Sequence, residues 1–595
     1  MFLLFFLLVS ALILLTAYGV VGGYLQRLFR LSSEPNTPAH ALRDGVDYEP
    51  ARASVLLPQH FSAIAAAGPV VGPILAALYF GWLPAWIWII LGSILIGGIH
   101  DYVTLVGSVR HGGRSIAEIV RRYMNPRAHL LFLIFVWFAL VYVIIAFTDV
   151  TASTFVAKAS TEGGEAPGPA VATSSLIYLL LALGMGATLR FTGLGHIKAK
   201  LIFLPLVFVA ILIGQFLPLS LPESLFGLSA QSLWGVLLLA YCFAAALTPV
   251  WLLLQPRGEL GGYFLYLILI VVTLGVLLNA FTGTQSIQLP AFTGWEKTLP
   301  TGEILHLFPI LFITVACGAC SGFHSIIASG TTSKQLQCER DARPVAYGSM
   351  LLEGFFACVS LVTVMILVSP SGTPNAIYAN GIAEFGRVIA GVFSPLQDRA
   401  TDPLFQILLQ FALLSFATFV FDTLDACTRL ARYVLMEALG WRSTRQAYLA
   451  TAITLVLPLI VLLNGNVTLN GTPMPLWRVF WGIFGSSNQL LAALTLLGLT
   501  VWLAKTRQAW WLTFFPTLFM LAMTIWSLAL NIRPYLKLWE TNATIDPLIH
   551  LQFAITCSLL FLATWLIVEA LITWRTMIPP KDGDVVMEKE PLASA

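Results

Sequence analysis

The stretch FSAIAAAGPVVGPILAALYF (61–80) decides how this chain is read. It holds no charged residue, and a run of about 20 apolar residues is what a helix needs to cross the hydrocarbon core of a bilayer. Its middle holds two Gly-Pro pairs, Gly68-Pro69 and Gly72-Pro73. Proline removes a backbone donor, and glycine admits backbone angles that other residues avoid. Unpaired backbone groups are tolerated at membrane depth only where they are buried in protein or line a cavity. The stretch therefore reads as a membrane span with an unwound centre. A kinked packing helix is the plainer alternative, because Gly-x-x-x-Gly also permits close helix approach. The second Gly-Pro pair favours unwinding.

The rest of the chain repeats the pattern. Of 595 residues, 58% are hydrophobic and only 10% charged, against roughly a quarter charged in soluble domains. Further apolar segments fall near 2–22, 84–108, 130–157, 174–189, 200–218, 232–254, 262–282 and 304–329, then near 345–369, 403–425, 447–464, 477–503, 510–530 and 550–574. With 61–80 they make about 15 spans, of which 174–189 is the shortest. The polar stretches 27–60, 158–173 and 371–402 read as loops, which leaves no room for a soluble domain. The expected fold is an all-α, polytopic transmembrane helix bundle.

A net charge of +3 with no basic block gives no sign of nucleic-acid binding. The seven cysteines are scattered through apolar segments and form no disulfide framework. Cys317 and Cys320 make a lone C-x-x-C, read as small-residue packing rather than a metal site. No metal or cofactor is expected.

Lysine and arginine set the orientation. With the N-terminus outside, the external side holds seven of them (Lys158, Lys297, Arg387, Arg399, Arg478, Arg533 and Lys537) and the cytoplasmic side the other 25 of 32. The N-terminal apolar run lacks a basic n-region and a clean cleavage site, so it reads as an uncleaved first span. The expected organisation is an N-terminal span and cytoplasmic loop (1–60), a core (61–425), accessory spans (426–574) and a cytoplasmic tail of mixed charge (575–595).

Three more segments look interrupted. Thr248-Pro249 falls in span 232–254, within Tyr241–Trp251. GACSG (318–322), followed by His324 and Ser325, falls in span 304–329. GIFGSSNQ (482–489) divides span 477–503. If the ten spans from 61 to 425 are taken as five plus five, spans 61–80 and 232–254 open the two halves in opposite directions. That is the arrangement of inverted-repeat secondary transporters such as the leucine-transporter fold.

Ionisable residues in or near the spans are costly in lipid and mark function. Asp149 lies in span 130–157 and Glu353 about two turns inside span 345–369. His100 and Asp101 close span 84–108, and His306 and His324 flank the third break. Asp101, Asp422 and Asp425 lie near helix ends, where reaching to the interface is expected. Asp425 can pair with Arg429 one helical turn on. A carboxyl as deep as Glu353 reads either as a proton carrier or as a structural partner for a neighbouring polar group.

The motifs resemble the carbon starvation protein A family of bacterial inner-membrane transporters. They are AAAGPVVGPILAA (65–77), the Gly98–Asp101 helix end, YCFAAALTPVWLLLQPR (241–257), SGTTSKQL (329–336), ERDARPVAYGSMLLEGF (339–355), FDTLDACTRLARYVLME (421–437) and GSSNQLLAALTL (485–496). The resemblance implies uptake of pyruvate or short peptides under nutrient limitation, coupled to protons. It places Lys334, Glu339, Asp341 and Arg343 in a family motif on the cytoplasmic side.

The leading expectation is a proton-coupled transporter for a small carboxylate, pyruvate first. Helix-end amides around Gly68, Pro69, Gly72 and Pro73 would receive the anion, with Tyr241 and Thr248 facing them. No lysine or arginine within the membrane looks placed to do so instead. Ser321, Ser325, Glu353 and Asp149 are the candidates for ion coupling. Asp101, Lys334, Asp341, Asp422 and Asp425 are the candidates for gating. The expected partners are the substrate, a coupling proton and membrane lipid. Peptide uptake is the alternative within transport, with Asp149 or Glu353 holding an amine, and a membrane nutrient sensor is the alternative outside it. A pump would need a nucleotide-binding motif that the sequence lacks. Ser321 with His324, three residues apart on one helix, is ordinary helical spacing and makes a poor hydrolase.

Overall fold

The computed structural model describes the chain except Val46, 157–166, Phe226, 300–303, Ser369, Ser371, 394–401, 465–466, 470–471, Pro475, 541–546 and 576–595. The expected tail at 575–595 therefore lies almost wholly outside the described residues, as do Lys158 and Arg399.

The architecture is all-α. In chain order the main helices are α1 (Phe2–Leu28), α2 (Ala53–Ala65), α3 (Gly68–Phe80), α4 (Trp82–Arg110), α5 (Pro126–Val156), α6 (Pro167–Phe191), α7 (His196–Phe216), α8 (Ala230–Leu247) and α9 (Leu254–Thr282). They continue with α10 (Leu307–Thr314), α11 (Gly322–Gly330), α12 (Glu339–Met365), α13 (Pro374–Ala390), α14 (Pro403–Leu439), α15 (Thr444–Leu463), α16 (Leu476–Lys505), α17 (Trp511–Glu540) and α18 (Pro547–Arg575). Among the described residues 13 helices are long and apolar enough to cross a membrane, or 14 with α2 and α3 counted as one span bent by 43°. The remaining expected span, 304–329, is present in two short pieces, α10 and α11. Among the described residues three two-stranded antiparallel sheets decorate the connections.

The first break is displaced from the expected unwound centre: it falls at Ala66–Ala67, and the Gly-Pro pairs that follow are helical. Ala66 takes a positive φ of 33°, and Pro69 opens α3 at a first-turn position where its missing N–H costs nothing. In the third break, residues 315–321 are non-helical between α10 and α11. The two broken spans cross at their breaks. A Cβ at Gly68 would lie 2.3 Å from the Cys317 side chain, and one at Gly72 would lie 2.4 Å from the Thr314 carbonyl oxygen. Packing of α2 on α11 and of α3 on α10 makes the two spans antiparallel.

Three expectations are corrected. Thr248-Pro249 does not interrupt a span: α8 ends at Leu247, and Thr248–Leu253 connects it to α9. A proline just past a helix end is ordinary termination, so the span paired with 61–80 at its break is 307–330. GIFGSSNQ does not divide its span either, since α16 is continuous. Its Gly485 instead lets α16 approach the Ile313 carbonyl, 2.7 Å from where a Cβ would stand. Finally, 371–402 is more than a loop, because it contains the buried helix α13. Its polar residues masked it in the sequence, yet they are partnered inside: Asn375 donates to Thr154 at 2.9 Å, and Arg387 pairs with Asp402 at 3.2 Å.

Candidate functional site

Two buried ionic clusters adjoin the broken spans, one through His324 of α11 and the other through Ser62 of α2. The first joins α4, α11 and α12. Asp101 Oδ1 lies 2.7 Å from His100 Nδ1, and its Oδ2 lies 2.8 Å from His324 Nδ1. His324 Nε2 lies 3.2 Å from Glu353 Oε2, close but not aligned as a hydrogen bond. All four side chains are fully buried. The sequence brings them together through small residues and two π-helical turns, Ser93–Gly97 in α4 and Arg343–Gly348 in α12. Such turns recur at functional positions. A Cβ at Gly97 would stand 2.3 Å from the Ala319 carbonyl oxygen, so α4 rests directly on the unwound segment.

The second cluster centres on Arg257, in the first turn of α9. Its Nε donates to Asp422 Oδ1 at 2.5 Å, and its Nη1 pairs with both Asp425 and the Tyr241 hydroxyl. Asp422 and Asp425 share a face of α14, three residues apart. Tyr241 of α8 donates to Asp425 at 2.7 Å, Ser62 of α2 donates to Asp422, and Tyr178 of α6 donates to the Arg257 carbonyl at 2.7 Å. Five helices thus meet at Arg257, three of them (α8, α9 and α14) through its guanidinium.

Between the clusters runs a narrow crevice lined by Gln59, His60, Gly258, Thr331, Thr332 and Asp422, among others, with room for about one water. His60 Nδ1 meets the Thr332 hydroxyl at 2.8 Å. Gln59 Oε1 and His60 Nε2 are buried there without a protein partner. Buried polar atoms are almost always satisfied, so these two face the crevice as hydrogen-bond partners for a water or a solute group.

The expected site residues divide between these places. Gly68, Pro69, Gly72 and Pro73 are buried at the crossing, Tyr241 belongs to the arginine cluster, and Glu353 and Asp101 belong to the histidine cluster. Ser321 bonds Asn488 of α16, which also accepts from the Phe323 N–H at 2.9 Å. Ser325 bonds its own helix and Thr495. Asp149 lies apart from both clusters, accepting from Gln231 and from the Trp477 N–H, each at 2.7 Å, at the start of α16. The Thr248 hydroxyl donates to Ala244, in the turn before it. Lys334 lies between the rings of Tyr48 and Tyr433, 5.4 and 4.9 Å from their centres. Asp341 sits in a 3-10 turn, its N–H donating to Cys338.

The interface placement of Asp101, Asp422 and Asp425 is corrected: they are 0–2% exposed, held inside by the histidines and by Arg257. Asp425 pairs with Arg257 rather than Arg429, which instead donates to the Ala245 and Thr248 carbonyls at the end of α8. The expectation that no arginine serves the interior is also overturned, since Arg257 is fully buried. By the charge balance Arg257 falls on the cytoplasmic side, and Gln59, His60 and Asn488 carry no local signal of a site. Only the fold sets Arg257 opposite the paired aspartates. Elsewhere, Glu118, His129 and Glu437 bring their ligand atoms within 4.8 Å of one another. Glu118 is already engaged by Arg114 and Arg121, and Glu437 by His129, so the group reads as surface ion pairing.

The sequence model of the family described as carbon starvation protein CstA matches residues 3–373 and 370–527. A peptide transporter CstA of Escherichia coli is 32% identical over 573 residues, covering 87% of this chain and 79% of that protein. A pyruvate/proton symporter BtsT of the same organism is 31% identical over 614 residues, covering 90% and 82%. Among solved structures, MhsT in complex with L-phenylalanine aligns with a TM-score of 0.47 and 14% identity, over 88% of this chain and 98% of that one. On the family match and the relatives' coverage, this multi-pass membrane protein belongs to the carbon starvation protein CstA family.

Proposed function

We propose that the chain is a secondary active transporter that takes up a small carboxylate, pyruvate first, by proton symport during nutrient limitation. We place it in the bacterial inner membrane, N-terminus outside and C-terminus inside. The observation that carries this reading is the pair of buried ionic clusters that adjoin the two broken spans, with a narrow crevice at His60 and Asp422. Unsatisfied Gln59 and His60 atoms offer polar contacts there. The Asp101–His324–Glu353 chain supplies adjoining groups that can hold and pass a proton, with Glu353 as the carrier. The relatives named for pyruvate/proton symport and peptide transport support transport itself. No enzyme activity enters this reading.

Peptide uptake is the second reading, with Asp149 or Glu353 as partner for a peptide amine; it is favoured by Glu353, whose two carboxyl oxygens are buried without a hydrogen-bond partner. The test is flux in proteoliposomes with labelled pyruvate or dipeptides under imposed proton and sodium gradients. Pyruvate accumulation driven by the proton gradient alone supports the proposal. Dipeptide accumulation without pyruvate uptake transfers it to peptides, and ligand binding without net flux makes the protein a sensor.

A further inference from the structure

We propose that Arg257 is the anchor for the substrate's carboxylate and that Asp425 is the resident anion which that carboxylate displaces; this rests on the carboxylate-uptake reading. Arg257 is fully buried and faces two carboxylates, so the cluster holds one more formal negative charge than positive. A buried charge without a matching partner is costly. The excess anion is suited to leave.

The guanidinium is also incompletely used. Asp422 takes Nε and Asp425 takes Nη1, while Nη2 of Arg257 and Oδ1 of Asp425 are buried with no hydrogen-bond partner. Arginine binds a carboxylate best through two parallel N–H groups. A carboxylate on Nη1 and Nη2 makes that bidentate pair, which Asp425 does not make.

Position agrees. Leu254 and Gly258, which flank Arg257 on α9, line the crevice together with Asp422. Glycine at 261 lets α9 come against this acid: a Cβ there would stand 2.6 Å from both Asp422 Oδ2 and Ser62 Oγ. Once displaced, Asp425 keeps the Tyr241 hydroxyl, and Arg429 stands one turn further along α14 to receive its charge. Arg429 now holds the Ala245 and Thr248 carbonyls, so the exchange reaches the end of α8.

A purely structural ion-pair network predicts that breaking it from either side weakens the protein alike. Displacement predicts opposite signs. The measurement is pyruvate KM in proteoliposomes, with neutral pyruvamide as competitor, on proteins first shown to be monodisperse. Arg257→Gln alone strands two buried carboxylates, so it is combined with Asp425→Asn, which keeps the cluster's net charge. Asp425→Asn alone lowers the KM about tenfold. The double variant raises it about tenfold or more and loses the preference for pyruvate over pyruvamide, the scale of one charge-assisted hydrogen bond. Arg257→Lys keeps the preference. A raised KM in Asp425→Asn, or wild-type KM and preference in the double variant, overturns the assignment while leaving carboxylate transport standing. Wild-type vesicles that take up no carboxylate overturn both.

Discussion

Alanine at Gly68 or Gly72 puts one methyl group where the two broken spans cross, and the structure says that the two substitutions differ in kind. At Gly68 the new Cβ meets the Cβ and Sγ of Cys317 at 2.3 Å, with the Cys317 Cα at 3.6 Å. At Gly72 it meets the Thr314 carbonyl oxygen at 2.4 Å and the Val315 Cα at 3.2 Å. Non-bonded carbon atoms rest about 3.5–4.0 Å apart, so the Gly68 contact must open by about 1.2 Å or more. Overpacking of this kind costs about 1–3 kcal/mol, and here it also spreads the crossing beside the crevice. Each single variant is expected to melt lower in detergent and to lose most uptake. Cys317→Gly removes the two atoms that crowd Gly68→Ala, so the double variant regains stability and uptake. The same second change does nothing for Gly72→Ala, whose obstacle is backbone that no side-chain replacement removes. Thermal melting and vesicle uptake on the five proteins decide the matter. Rescue of Gly72→Ala by Cys317→Gly, or wild-type behaviour of Gly72→Ala, would refute the crossing of the breaks.

Glu353→Gln should abolish proton-driven accumulation while substrate exchange continues, and unchanged uphill uptake in that variant removes Glu353 from the coupling. Asn488→Ala leaves the buried Phe323 N–H at the start of α11 unpaired, which costs about 1–3 kcal/mol; an unaltered melting point would show that α16 does not support the third break. Burial holds the Lys334 amine below the ordinary lysine range, although Asp47 and Asp44 oppose the shift. The folded state then binds that proton less tightly than the unfolded state, so stability rises as pH climbs between the lowered value and the ordinary one. Lys334→Met should flatten that part of the melting-point profile, and an identical slope in the variant would count against the half-buried cation.

The sequence by itself determined the membrane class, nearly every span and two of the real breaks, because bilayer thickness and the cost of bare backbone act on local composition. It also singled out Glu353, Asp422 and Asp425 as carboxylates needing an explanation. It misplaced α13, whose Asn375, Glu384 and Arg387 lowered its apolar signal, although Asn375 meets Thr154 of α5 and Arg387 meets both Glu384 in its own helix and Asp402 before α14. Thr248-Pro249 and GIFGSSNQ carried the same local marks as the true breaks. Glycine and proline state what a backbone is allowed to do, whereas packing decides whether it does so. Only the tertiary structure brought Arg257 to Asp422 and Asp425, 165 residues away for the first of them, and set His324 between Asp101 and Glu353. A charged residue's partner in the membrane interior is chosen by which helices pack together, and that choice is written in no one stretch of the chain.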